Sequence, residues 1–232
     1  MAANADAGVG VGAEAGADVT SPRERYRAQV RSDIKARAWD QIARSGATGL
    51  SLNAIAKELG MSGPALYRYF GSRDELITEL IRDAYRSLAD TFRAAAESGA
   101  GLEGLARALR RWALDDPQRY FLVYGTPVPG YHAPDDITTI AREIMAALLD
   151  VCASAGLEAP APASASFTAH LSQHRQWAAG HPAPPGVLRK ALAFWTRMHG
   201  VLSLELAGHF TGMGFDPERL FDAEVAELTP GR

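Results

Sequence analysis

Residues Leu50 to Phe70 read LSLNAIAKELGMSGPALYRYF. Ile55, Ala56 and Leu59 fall on one side at the spacing of a short amphipathic helix, and Ser51 stands where a side chain caps it. Gly60 occupies the position at which helices end in a left-handed residue, a conformation that only glycine or asparagine adopts cheaply, and Met61 can pack back inward. Ser62 then reads as the N-cap of a second helix, with Pro64 in its first turn, where a missing N–H leaves nothing unpaired. Two helices that meet at one glycine, with no room for a loop, form a helix-turn-helix, whose second helix fits the DNA major groove. Leu66 and Phe70, four residues apart, face inward, which turns Gly63, Pro64, Ala65, Tyr67, Arg68 and Tyr69 toward solvent. Tyrosine hydroxyls and arginine guanidinium groups donate to phosphate oxygens and base edges, so this surface suits DNA.

The charge distribution points the same way. The net charge of −3 divides into −3 for residues 1–20, +6 for residues 21–73 and −6 for the remainder. A compact basic segment on an acidic body is the electrostatic form of a DNA-contacting head, because phosphate neutralisation dominates affinity. Residues 1–20 are small, polar or glycine-rich and are expected to be a disordered tail. The chain has 232 residues, 47% of them hydrophobic, enough for a sizeable core. It carries no apolar run near the roughly 20 residues that cross a membrane and no secretory leader, so a cytoplasmic protein is expected. Cys152 is the single cysteine, which excludes an intrachain disulfide.

Outward from the motif the pattern is helical throughout, with no β alternation, and predicts an all-α fold. Ser21-Pro22-Arg23-Glu24 is a capping box with proline at the first helical position. Val30, Ile34, Ala38 and Ile42 follow as a buried stripe until Ser45-Gly46, and Arg23, Arg27, Arg31 and Lys35 on other faces are available to phosphate, although solvated surface charge accounts for most of them. A second capping box, Ser72-Arg73-Asp74-Glu75, opens a helix to about Ala96, long enough to act as a lever between the head and the rest of the chain. Beyond it, helices are predicted over Leu102–Leu114, Asp135–Ala155, Ser164–Ala179, Gly186–Phe210 and Asp216–Leu228. A short aromatic segment, Tyr120 to Tyr124, and an irregular Gly125–Pro134 separate the first two of these. The helix from Gly186 carries two apolar stripes, more than one core face requires. One is Leu188, Leu192, Trp195, His199, Leu202, Leu206 and His209; Val187, Ala191, Phe194, Met198 and Val201 form the other. Burial against a second subunit is expected through Leu188, Leu192, Trp195, Leu202 and Leu206, with Gly200 permitting close approach.

GLSLNAIAKELGMSGPALYRYFGSRDELITEL resembles the DNA-binding head of the tetracycline-repressor-like (TetR) family of bacterial regulators, over about Ser21 to Leu80. YFLVYGTPVPGY, Tyr120 to Tyr131, together with Trp195, His199 and Gly200 in the pattern W-x-x-x-H-G, resembles the WHG type of ligand-binding domain in that family. The resemblance implies a three-helix head (21–70), a connecting helix (71–97) and a helical regulatory and dimerisation domain (101–228) that pairs through a four-helix bundle and encloses an effector pocket. Carried over by position, phosphate contacts fall on Ser51, Tyr67, Tyr69, Ser72 and Arg73. Base-edge contacts fall on Asn53, Gly63, Pro64, Ala65 and Arg68. Gly63 and Ala65 offer no hydrogen-bonding side chain, so that readout rests on Arg68 and Asn53, with Pro64 and Ala65 available to thymine methyls.

Trp112, Tyr120, Phe121, Tyr124, Tyr131, His132, Trp177, Phe194, Trp195 and His199 supply apolar walls with a few polar tips, the makeup of a small-molecule site, although core packing is the simpler account of each residue and of the set. No cofactor is called for. A helical enzyme finds no G-x-S-x-G elbow, phosphate-cradling loop or H-E-x-x-H run to support it. His170, His174 and His181 lack a further ligand at metal spacing. A scaffolding dimer without DNA binding leaves the basic head unexplained. The reading is a ligand-responsive regulator, most often a repressor in such a family, that binds a palindromic double-stranded operator as a homodimer and is released by a small-molecule effector.

Overall fold

The computed structural model describes residues 21–125, 134–155 and 165–229, and within these every regular element is helical. Helix α1 spans Pro22–Ser45 and opens on the expected capping box: Ser21 Oγ accepts from Glu24 N at 3.2 Å, and the Glu24 carboxylate accepts from Ser21 N at 2.7 Å. A 3₁₀ turn, Ala47–Gly49, leads into α2 (Leu52–Glu58), α3 (Gly63–Leu66) and the long α4 (Arg73–Glu97). Ile34, Ala38, Ile42, Leu52, Ile55, Ala56, Leu66, Phe70, Leu76, Ile77 and Leu80 close one core beneath these helices.

The second core forms around α4 Leu88 and Phe92, α5 (Gly101–Asp115), α6 (Pro117–Tyr124), α7 (Asp135–Ser154), α8 (Ala165–Gln173), α9 (Pro185–Leu206) and α10 (Pro217–Leu228). Helix α4 runs through both cores, and 25 residues at about 1.5 Å each make it a rod of roughly 37 Å. Two side chains cross in the other direction. Ile137 of α7 is buried among the head residues, and Leu122 of α6 packs against them. The segments that the sequence reads as a disordered tail (1–20), as most of the irregular Gly125–Pro134 stretch and as the 158–163 loop lie outside the described residues.

Three sequence expectations change. The helix expected over Ser164–Ala179 ends at Gln173 and gives way to a 3₁₀ turn, Gln176–Ala178. The cause is Arg175, which turns inward so that Nη2 donates to the carbonyls of His181 at 2.7 Å and Ala183 at 2.8 Å and draws the chain into a turn with Ala179 and Gly180 left-handed. Helix α9 stops at Leu206, short of Phe210, where Gly208 at φ +77° lets His209 N reach back to the Leu204 carbonyl. His209 therefore leaves the stripe to which the spacing assigns it. The capping box at Ser72 is half made: Ser72 Oγ accepts from Glu75 N at 3.0 Å, but Glu75 reaches past Ser72 to Gly71 N at 2.7 Å.

Candidate nucleic-acid interface and ligand site

The head's reading surface depends on how α2 and α3 are held. Ser51 caps α2, accepting from Ala54 N at 3.3 Å, while its own N–H donates to Gln41 Oε1 at 3.0 Å. Gln41 is a buried polar side chain, 6% exposed, on the inward face of α1. On the other side of the same peptide bond, Arg73 Nε donates to the Leu50 carbonyl at 3.1 Å and its Nη2 to that of Ala47. The Leu50–Ser51 linkage is thus clamped by one residue from α1 and one from α4, which fixes where α2 begins. Gly60 adopts φ +65°, and Met61 N closes the turn on the Ala56 carbonyl at 2.8 Å.

Leu66 and Phe70 are fully buried, as the spacing requires, and anchor the second helix. Regular α-helix covers only Gly63–Leu66, after which the hydrogen bonds from Arg68 N to Ala65 and Tyr69 N to Leu66 tighten the chain to a 3₁₀ turn. Ser62 is the N-cap by position, but its side chain makes no capping bond. Pro64, Tyr67 and Arg68 are exposed, Tyr67 at 46%, and Asn53 is exposed on α2. A β-carbon placed on Gly63 would stand 3.6 Å from Asn53 Oδ1, so these two positions form one patch. Gly63, Ala65 and Tyr69 are half-buried, a correction to the expectation that all six outward residues meet solvent. Tyr69 stands three residues from Leu66, at the edge of the inward face, where it packs on the head core and lies 5.8 Å beneath the Arg27 guanidinium. Arg31, whose guanidinium sits 4.2 Å over Phe70 and 3.4 Å from Glu79, donates to the Tyr69 carbonyl. Ser72 is exposed with its Oγ accepting the cap bond, and Arg73 has the carbonyl partners just described. Gln41 is a supporting residue that periodicity alone does not single out, and Arg27 and Arg31, which the sequence makes available to phosphate, also contact the second helix of the motif.

In the second core, Tyr120, Tyr124, Trp195 and His199 meet around the imidazole. Ring centroids lie 4.3 Å apart for Tyr124 and His199, 4.3 Å for Trp195 and His199, and 5.6 Å for Tyr120 and His199. Tyr120 Oη is 3.0 Å from His199 Nδ1 and 2.8 Å from Ser203 Oγ. His199 Nε2 and the Tyr124 hydroxyl are buried without a hydrogen-bond partner. Burial holds the His199 imidazolium pKa down at about 4, and burial together with the neighbouring phenols of Tyr85 and Tyr120 pushes the Tyr124 hydroxyl well up, so both groups are neutral near pH 7. Phe92 of α4 joins the cluster, 6.2 Å from Trp195. Phe121 contacts Tyr120 at 5.7 Å. Trp112 is buried, with its Nε1 donating to Ser87 Oγ at 3.1 Å and its ring 6.5 Å from that of Tyr120. Phe194 is fully buried and Trp177 packs against the core, and neither shares a ring contact with His199. Tyr131 and His132 lie outside the described residues. A hollow of about 580 Å³ lined by residues that include Gly99, Glu103, Ser154, Lys190 and Thr229 involves none of these aromatics.

Of the residues expected at a subunit interface, Leu188 and Leu202 are fully buried in the chain's own core and cannot meet a partner. Leu192, Trp195 and Leu206 pack against that core. Gly200 is exposed, with open space around its α-carbon. His181 Nε2 meets Asp150 at 3.0 Å, whereas His170 stacks on His174 at 3.9 Å, so the three histidines do not converge.

Comparison with known proteins matches this architecture twice. Residues 34–80 match the family profile described as bacterial regulatory proteins, tetR family, and residues 102–228 match the tetracyclin repressor-like C-terminal domain. HTH-type transcriptional regulator Rv1816 of Mycobacterium tuberculosis is 38% identical over 224 residues, covering 89% of this chain and 93% of the relative. The chain belongs to the TetR family. Among solved structures, that of SCO4313 is 66% identical, covers 91% of this chain and all of that one, and superposes with a TM-score of 0.83. FadR from Bacillus subtilis, solved in complex with stearoyl-CoA, is 13% identical with a TM-score of 0.57 over 87% of this chain and 98% of FadR, and shows the fold alone. A TetR-family chain is a DNA-binding transcriptional regulator and not an enzyme, and its helix-turn-helix is the element assembled around Gln41, Gly60 and Arg73. No helix among the described residues is long and apolar enough to cross a membrane.

Proposed function

We propose that this TetR-family regulator is a homodimeric repressor that binds a palindromic operator and is released by a small, largely apolar effector. The head (21–70) reads DNA, the connecting helix (71–97) transmits, and the regulatory domain (101–228) senses and dimerises. One observation carries the ligand-responsive part. Helix α6 touches both ends of the system: Tyr120 and Tyr124 contact His199, while Leu122 on the same helix packs on the head core, to which Ile137 of α7 also belongs. A ligand that parts Tyr124 from His199 by displacing α6 would disturb the head through Leu122. Such a displacement would couple two distinct sites through a shared element.

The unpartnered groups define what the effector offers. If Tyr120 Oη donates to Nδ1, His199 Nε2 carries the proton and is a buried donor, and the Tyr124 hydroxyl is free to donate or accept. Each unmet polar group of this kind costs roughly 1–3 kcal/mol. An apolar ligand with a carbonyl or carboxylate oxygen would recover that cost, and acyl compounds, of the class bound by FadR, belong in the first panel tested.

Our reading puts dimerisation on the outer faces of α9 and α10, shifted from Leu188 and Leu202 to the exposed Gly200 and Leu204 of α9 and the exposed Ala223 and Ala226 of α10. Two reading helices about 34–36 Å apart would then enter successive major grooves. The test is a thermal-shift screen of acyl and aromatic metabolites followed by operator release in anisotropy. A compound that stabilises the chain and releases DNA, and loses both effects in Tyr124→Phe/His199→Phe, supports the reading. Compounds that release DNA equally well from that double variant would refute this site.

A further inference from the structure

We infer that the first two turns of α1 form a second DNA contact, in which Arg23, Tyr26 and Arg27 hold the backbone of the base pairs that flank those read by the helix-turn-helix. From Val30 onward the inward stripe of α1, Val30, Ile34, Ala38 and Ile42, packs on the head core. At 3.6 residues per turn the same stripe continues toward the start of the helix through Arg27, Tyr26 and Arg23, so Arg23 and Arg27 belong to this face and not to the other faces to which the sequence reading assigns them. Nothing in the described chain covers it there: residues 22–29 are all exposed, Tyr26 at 68%. A helix face that changes from aliphatic to cationic and aromatic where the core beneath it ends is suited to a polyanion.

The face is continuous with the reading surface. Arg27 Nη2 lies 3.5 Å from the Arg68 carbonyl, and its guanidinium sits 5.8 Å over Tyr69. Arg23 stands one turn, about 5.4 Å, further along the axis. The charges are arranged accordingly. Arg31 pairs with Glu79, Lys35 with Asp83, Arg37 with Asp40 and Arg44 with Glu58, and Glu24 is engaged by the Ser21 N–H. Arg23 and Arg27 have no carboxylate partner among the described residues. Unpaired cations and a tyrosine hydroxyl next to a DNA-reading helix match the donors that proteins place on phosphates, which position the protein without reading sequence.

The test uses the full chain and the duplex it selects from a randomised library, in a version trimmed to the base pairs protected by the helix-turn-helix and a version extended by several base pairs at each end. Alanine keeps the helix, so Arg23→Ala, Tyr26→Ala and the double variant are suitable, with circular dichroism as the check on folding. The double variant is expected to bind the extended duplex about threefold to tenfold more weakly, with base preference unchanged and the salt slope smaller by about 0.9 for each phosphate that is no longer neutralised. The advantage of the extended over the trimmed duplex should disappear. Wild-type affinity and salt slope in the double variant, equal weakening on both duplexes, or an altered base preference would each overturn the inference. A wild-type chain that selects no duplex overturns the DNA-binding reading and this inference with it, whereas Arg68→Ala, which should change base preference but keep the length effect, separates the two.

Discussion

Replacing Arg73 by alanine distinguishes a phosphate contact from a structural clamp. Its guanidinium donates to the carbonyls of Leu50 and Ala47 and lies 3.6 Å from the exposed Asp74 carboxylate. A hydrogen bond from a charged donor contributes roughly 1.5–3 kcal/mol. A third of the side chain is exposed, so screening reduces the two bonds together to about 2 kcal/mol, and the Asp74 pair adds little. In a chain of this length, removing that contribution lowers the thermal midpoint by about 4–8 °C, read by circular dichroism. DNA affinity should fall by a similar factor for every sequence, because the start of α2 is no longer fixed, while the salt slope stays as in the wild type. A variant that unfolds at the wild-type midpoint but whose salt slope drops by about 0.9 per chain would refute the clamp and put Arg73 on a phosphate.

Three further outcomes follow from the same geometry. Arg68→Ala should weaken binding by about 1–3 kcal/mol at one base position per half-site, and equal weakening against every single-base operator variant would remove Arg68 from base reading. Ile137→Ala should cost about 2–5 kcal/mol and raise amide exchange in α1 and α4 as well as in α7, since Ile137 is buried in the head core; exchange confined to α7 would contradict the coupling. Burial lowers the His199 pKa to about 4 in the folded chain, from an unfolded value near 6.5, so between those values the unfolded state binds the proton that the folded state excludes. Stability should therefore fall by about 3 kcal/mol as pH drops from about 6.5 to about 4, and His199→Gln should flatten that part of a pH-dependent denaturation series.

The elements set by local chemistry were legible in the sequence. The Ser21 capping box, the Gly60 turn and the inward Leu66 and Phe70 depend on residues within a few positions of one another, and each stands where the pattern puts it. The misses are tertiary. Nothing near Arg73 in sequence indicates carbonyl acceptors 23 and 26 residues away, and nothing near Arg175 indicates that it will cap a turn rather than continue a helix. On α9, two apolar stripes lie side by side, and periodicity cannot say which one the chain covers itself. The structure buries Leu188 and Leu202 together with the second stripe and leaves Gly200 and Leu204 outside. In the aromatic cluster, the W-x-x-x-H-G pattern identifies Trp195 and His199, but Phe92 joins them from α4, one turn beyond Leu88.

The most direct measurement is the mass of the complex formed by the full chain on the duplex it selects from a randomised library, by native mass spectrometry at low salt. Two chains on each duplex, with the selected sequence an inverted repeat whose halves are centred about 34–36 Å apart, are predicted. One chain per duplex with no repeated half-site, or no complex at all, would contradict the account.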